Sequence, residues 1–477
     1  MTKNVCAASL TVLLSAICLT SLSAAQTKWW RTYGGPNDDV GYAVQQTSDS
    51  GYVVTGQTCS RGDPFGDVYL IKTNSQGDTL WTRSYGGAHG DLGKSVQQTA
   101  DGGYIIAGGT ASLGPGIPAF DNVYLIKTNV SGDTLWTRAY GGMNQDAANS
   151  VQQTSDSGYI VAGVTFSFGD SNGDIYLLKT NSQGDTLWTR TYGGTKADIG
   201  TSVQQTLDGG YIVTGITMSF GAGSYDVYLV KTDAQGDTLW TRTYGGGSAD
   251  MGYSVQQTTD RGYIVAGFTA SSGTGSGDVY LVKTDSIGDT LWTRTYGGDS
   301  LDYGECARPT ADGGYIIVGY TGAVGSGDVY LVKTNASGDT LWTRTHGGMN
   351  TDLGYSVQQT ADGGYIMAGY TQSFGAGGQD IYLIKTDASG IGVSEPLTRR
   401  LAGPTRLLVQ PNPFTSVARV PGHETELFAL SDVTGRQVAV CRGNRVGEGL
   451  RPGVYFLSPV GLRAGKAATA PVIKVAF

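Results

Sequence analysis

The feature that most constrains the fold is a unit that returns along the chain at a nearly fixed interval. A tryptophan set in "TLWTRTY" or a close variant occurs at Trp81, Trp136, Trp188, Trp240, Trp292 and Trp342, and a shortened copy, "TKWWRTYGG", stands upstream of them all. Counted from Trp30, successive tryptophans lie 50–55 residues apart, too regular for unrelated segments. The chain is therefore a repeat protein.

One unit, read from Asp226, is "DVYLVKTDAQGDTLWTRTYGGGSADMGYSVQQTTDRGYIVAGFT". It holds four short segments rich in Val, Ile, Tyr, Thr and Trp, each a strand by composition and alternation. In "TLWTRTY" the period of two puts Trp240, Arg242 and Tyr244 on one side and Leu239, Thr241 and Thr243 on the other. "DAQGD" and "TDRG" are compact Asp/Gly turns, in which Gly supplies positive φ and Asp bonds its own backbone, so they predict hairpins. The connections after "YGG" and before "VYL" are longer. Four antiparallel strands per unit and no helix predict a propeller blade.

Counting the strands gives the number of blades. The "GYIV" tyrosines (Tyr52, Tyr104, Tyr159, Tyr211, Tyr263, Tyr315, Tyr365) and the "VYL" tyrosines (Tyr69, Tyr124, Tyr176, Tyr228, Tyr280, Tyr330, Tyr382) each number seven, and the tryptophan strand reaches seven only if "TKWWRTYGG" is counted. The last "DIYLIKTDASG" lacks the tryptophan strand that should follow it. The two incomplete ends complement each other, which predicts an all-β, seven-bladed propeller over residues 27–387, closed by the N-terminal strand pairing with Ile381 to Thr386. "SVQQT" is then innermost and "TLWTRTY" outermost. The tight turns share one face and both long loop types share the other, the face where binding is expected.

Outside the repeats, Lys3, an apolar run from Leu10 to Leu19 and small residues at Ser23 and Ala25 predict a signal peptide over residues 1–25, since the run is too short to span a bilayer. No transmembrane span is expected. Cys59, Cys306 and Cys441 describe neither a disulfide framework nor a zinc site. With 32 basic and 40 acidic residues and no basic stripe, nucleic acid is not an expected partner. Residues 388–404 have the Gly, Ser and Pro content of a linker, and residues 405–477 read as short strands that predict a small β-sandwich.

The tail resembles the C-terminal sorting domain of proteins exported by the bacterial type IX secretion system. The likeness rests on "QPNPFTS" with Pro411, Asn412 and Pro413, on "LSDVTGRQV" with Gly435 and Arg436, on "PGVYFL" with Gly453 and Tyr455, and on the terminal "IKV" with Lys474. It implies the type IX machinery as a partner, and a protein that is secreted or held at the outer cell surface. The chain continues past Lys474 as Val-Ala-Phe, where the family's lysine is usually terminal. The repeats are similar to those of secreted bacterial proteins that carry "DGGYIVAG" and "GDTLWT" units. The "TDAQGDTLW" turn loosely resembles the Asp-box of sialidase-like propellers, with different spacing, which points toward carbohydrate.

The loops after "YGG" carry an aspartate at one phase: Asp39, Asp91, Asp146, Asp198, Asp250, Asp302 and Asp352. A ring of carboxylates on the long-loop face could hold a cation such as calcium through oxygen ligands. The plainer reading is that each caps its own turn. No other cofactor is implied. The copies differ from one another at His89, at His346 in place of Tyr, and at Arg308 in "CARPT", which replaces "SVQQT"; with the seven aspartates these are the candidates for a binding site on the long-loop face. No nucleophile, metal cluster or phosphate loop is apparent, so no catalytic residue is assigned. The sequence thus favours a non-catalytic, monomeric binding or structural module for a glycan or a cell-surface protein. The alternative is a carbohydrate-active enzyme, glycosidase or lyase, using carboxyls such as Asp63, Asp121 and Glu305.

Overall fold

The computed structural model describes residues 28–116, 121–322, 326–392, 427–432, 436–442, 445, 446, 448, 453–459 and 470–474. The predicted signal peptide lies outside these residues. The chain divides into two compact units, Met1–Glu395 and Pro396–Phe477.

The first unit is a propeller of seven four-stranded antiparallel sheets. In blade one the strands are Asp39–Gln46, Tyr52–Thr58, Asp67–Thr73 and Thr79–Tyr85, in that order across the sheet. The first strands of neighbouring blades touch in an unbroken round from blade one through blade seven and back, which identifies them as the innermost. The second and third strands are buried on both faces, and their Val, Ile and Leu side chains form the packing between blades. Burying one such side chain contributes about 1.5–3 kcal/mol, and the pattern recurs at every junction.

The seventh blade is the composite the two incomplete ends implied. It consists of Asp352–Gln359, Tyr365–Thr371, Asp380–Thr386 and the N-terminal Trp29–Tyr33, with Trp29 opposite Lys385 and Tyr33 opposite Ile381. This register corrects one sequence assignment. Trp81 stands opposite Lys72 in blade one, so the equivalent of the repeated tryptophan is Trp29, and Trp30 occupies the position of Thr82. A doubled tryptophan cannot be phased from spacing alone. Trp30 packs instead on Phe374 and Tyr382.

Each repeated tryptophan packs between blades. Trp188 sits edge-on to Tyr211 of the next blade, with centroids 5.8 Å apart, and Arg190 lies 5.5 Å from its ring as the cation–π cover. Under the indole is Gly236, whose left-handed φ of +80° makes the tight turn. A Cβ there would lie 2.8 Å from the indole, so the turn glycine serves φ and packing together. A buried lysine adds a polar tie: Lys72 reaches the turn between the first two strands, 2.9 Å from Asp49, and every blade repeats the pair. Burial works to raise the Asp49 carboxyl, but hydrogen bonds from Lys72, Thr47 and the Gly51 amide outweigh it and hold it at about 2.

In the second unit the described residues form a four-stranded antiparallel sheet, ordered Gln437–Arg442, Leu427–Ser431, Gly453–Pro459, Ala470–Lys474, with Phe428 and Leu430 buried. A second sheet, as a sandwich requires, does not occur among them. Arg436 closes the first hairpin with an ion pair to Asp432 at 3.4 Å, and Gly453 stands opposite Lys474. Tyr455 lies on the same strand as Gly453. Pro411, Asn412, Pro413 and Gly435 lie outside the described residues.

Candidate functional site

The seven repeated aspartates are at the long-loop end of the innermost strands, where they are turn caps. Asp39 Oδ2 accepts from the Gly35 amide at 2.8 Å and from Ser60 Oγ at 2.7 Å, and the same pair of bonds recurs at Asp91, Asp146, Asp198, Asp250 and Asp352. Asp302 keeps the amide bond, from Gly298, and has no second such bond among the described residues; blade six has Ala323 in sequence where the others have this serine. Each aspartate is 0–1 % exposed. Each also stands beside the aspartate, or Asn122, that opens the third strand of the adjoining blade. Asp67 Oδ1 and Asp91 Oδ2 lie 2.1 and 2.5 Å from the point where a Gly86 Cβ would be. Burial, followed by the neighbouring Asp352, pushes Asp328 up to about 6. The carboxylates are thus distributed in pairs around six of the blade junctions, and Asn122 takes one place at the seventh. Hard cations take six to eight oxygens, and among the described residues no three His, Cys, Asp or Glu converge as a metal site.

The histidines have structural contacts. His346 stands where the other blades have a tyrosine whose hydroxyl donates to a turn carbonyl, as Tyr85 does to Gly132 O at 2.6 Å; its Nε2 meets Gly390 O at 3.1 Å. Burial lowers its pKa. The His89 amide donates to Ser112 Oγ at 3.1 Å in the loop entering blade two. Arg308 belongs to the other end of the channel: it lies near the end of Asp302–Pro309, at the tight-turn side.

What the structure brings together at the long-loop end was not visible as a motif. Each innermost strand carries a bulge after its third residue, a glycine in every blade but the third, which has Ala148; in blade one it lies between Gly41 and Ala43. The extra residue is Tyr42, Lys94, Asn149, Thr201, Tyr253, Glu305 or Tyr355 in blades one to seven, a position that mixes aromatic, polar and oppositely charged side chains. A bulge leaves its extra residue outside the ladder and re-aims its side chain. Here Lys94 Nζ stands 3.5 Å over the Tyr42 ring, and Tyr42 lies 5.4 Å from Tyr355. Burial pushes Glu305 up to about 7 against the pull of Lys94, and burial brings Lys94 down to about 8 against the pull of Glu305. Tyr253 and Tyr355 are raised by burial first and also feel the Glu305 charge.

Beside this cluster is an aromatic platform. Tyr303 is stacked between Phe268 at 4.4 Å and Tyr320 at 4.8 Å, with interplanar angles of 14° and 17°, and Tyr370 stands 6.1 Å from Tyr355. Blades two to four have Gly109, Val164 and Ile216 at the positions of Phe268, Tyr320 and Tyr370, so the platform belongs to one side of the ring. Glu305, one of the three carboxyls considered for acid–base work, lines this site. Asp63 Oδ1 instead caps the Phe65 amide, and Asp121 borders Asp91 and Gln145. The charged group that faces Glu305 is Lys94, which is not the facing carboxyl pair that glycoside hydrolysis uses.

Fold and site together define an all-β, seven-bladed propeller with a one-sided aromatic and charged mouth to its central channel. No protein-family model and no curated protein matches the chain. Among solved structures it is similar to the WD40 domain of Neurospora crassa Pan2 (10 % identity, TM-score 0.45, covering 75 % of this chain and 95 % of that one). It is also similar to Chaetomium thermophilum Sqt1 bound to the N-terminus of ribosomal protein L10 (10 % identity, TM-score 0.43, 75 % and 98 %). A third likeness is to PorZ, a surface component of the type IX secretion system of Porphyromonas gingivalis (11 % identity, TM-score 0.41, 93 % and 60 %). Likenesses of this strength assign no activity.

Proposed function

We propose that the protein is a non-catalytic binding module, exported through its C-terminal unit and displayed outside the cell, that holds a glycan at the long-loop mouth of its channel. The observation that carries this reading is the break in sevenfold symmetry. Chemically unlike residues meet at the bulge position and beside it, where Tyr320, backed by Tyr303 and the buried Phe268, stands next to Glu305 and Lys94. Flat aromatic faces beside hydrogen-bonding groups suit the apolar face and hydroxyls of a sugar ring. Export rests on the sequence resemblance of the tail.

The test is a glycan array with matched hydrolysis assays on the full chain and on Tyr303→Ala/Tyr320→Ala. The expected result is binding by the wild type, at least tenfold weaker binding by the variant, and intact glycan after incubation with either. Cleavage by the wild type would favour the enzyme reading. Unchanged binding by the variant would remove the platform from the site.

A further inference from the structure

The opposite end of the channel is lined differently from the mouth. A cavity of about 470 Å³ lies there, within the range of about 300–1,000 Å³ usual for ligand pockets. Its wall is made by the "SVQQ" ends of the innermost strands and contains no acidic residue.

The hydrogen-bond pattern of that wall leaves an excess of donors. In five of the six "QQ" pairs the first Gln turns its Oε1 to the backbone amide of the second Gln in a neighbouring blade: Gln45 to Gln98, Gln97 to Gln153, Gln152 to Gln205, Gln204 to Gln257 and Gln358 to Gln46, at 2.6–2.7 Å. An amide that must receive an N–H with its oxygen leaves its NH₂ end over, and among the described residues these five NH₂ groups have no protein partner. Serine hydroxyls of the same strands behave alike. Ser95 and Ser150 Oγ each accept a backbone N–H from the next blade, so their own O–H is left to donate.

Blade six breaks the round. Pro309 has no N–H to offer Gln256, which turns its Nε2 to its own Val255 O at 2.6 Å and leaves its Oε1 free for a hydroxyl. Arg308 replaces the Gln of that blade and lines the cavity as its one charged residue, with no ion pair or hydrogen bond among the described residues. A guanidinium matches a carboxylate through two parallel N–H donors.

We infer that this cavity binds a sugar acid, its carboxylate held by Arg308 and its hydroxyl oxygens by Gln45, Gln97, Gln152, Gln204 and Gln358. One cation takes one oxyanion, and a ring of neutral donors suits a ligand whose remaining polar atoms are uncharged oxygens.

The test titrates the full chain calorimetrically with D-glucuronate, D-glucose and sodium sulfate, beside Arg308→Gln/Pro309→Gln. This variant restores the "QQ" of the other blades and should melt no lower than wild type; Arg308→Gln alone is the second variant. The expected result is glucuronate binding to wild type, at least tenfold weakened in both variants, with glucose silent at the same concentrations. Equal affinity in wild type and variants, or no glucuronate binding to wild type, would overturn the inference. Sulfate binding without glucuronate binding would overturn the sugar-acid assignment in favour of a mineral oxyanion.

Discussion

At the scale of single residues, the first glycine of "YGG" is set by electrostatics as much as by backbone. Gly86 is wedged between Asp67 and Asp91, so a methyl group there must push two carboxylates apart. Gly86→Ala is expected to lower stability by about 1–3 kcal/mol, as overpacking does, read by urea denaturation. Gly247→Ala, where nothing among the described residues lies within 4 Å of the new Cβ, should be nearly neutral. Glu305 gives a pH signature. Its folded-state pKa of about 7 exceeds its ordinary 4.5, so the folded state binds the extra proton between those values, and this contribution fades as pH rises from about 4.5 through 7. Glu305→Gln stays neutral and escapes that loss. Its melting temperature relative to wild type should therefore be higher at pH 8 than at pH 4; the reverse order would contradict a carboxyl destabilised by burial.

At the scale of the element, the N-terminal strand is held as the outer strands of blades one to five are, by its tryptophan and its tyrosine. Trp29 is 5 % exposed, donates Nε1–H to Ser75 O at 3.1 Å and packs on Tyr52, while Tyr33 OH donates to Gly77 O at 2.6 Å. Lys28 adds an ion pair with Asp387. Trp29→Ala should cost about 3–5 kcal/mol, as other large-to-small changes at aromatic positions do. Deleting residues 27–35 should lower the melting temperature by more than any ordinary trimming, and a synthetic peptide of those residues should restore it by strand addition. An unchanged melting temperature after deletion would contradict the pairing.

At the scale of the molecule, the ring was legible because it is periodic. Seven copies each of Tyr52-type and Tyr69-type residues carried blade number, strand order and closure, and of the two readings of the repeated Asp39, ligand or turn cap, the hydrogen bonds show the cap. The doubled Trp29 and Trp30 defeated phasing, because one residue of slip exchanges the faces of a strand. The mouth was illegible for the opposite reason. Tyr42, Lys94 and Glu305 share no residue type, and only the bulge that aims them inward makes them one site. Arg308 was noticed as a departure from the repeat, but its end of the channel depended on how far along the strand it stood.

The seventh blade also sets an order in time. Trp29–Tyr33 is among the first repeat segments made, and its partner Ile381–Lys385 is among the last. Through synthesis of the six blades between them the ring has an open seam, so the closed form exists only once residue 386 is available. The seam of the ring is therefore shut late in the making of the propeller, and every partial product that lacks the last blade keeps an unpaired edge.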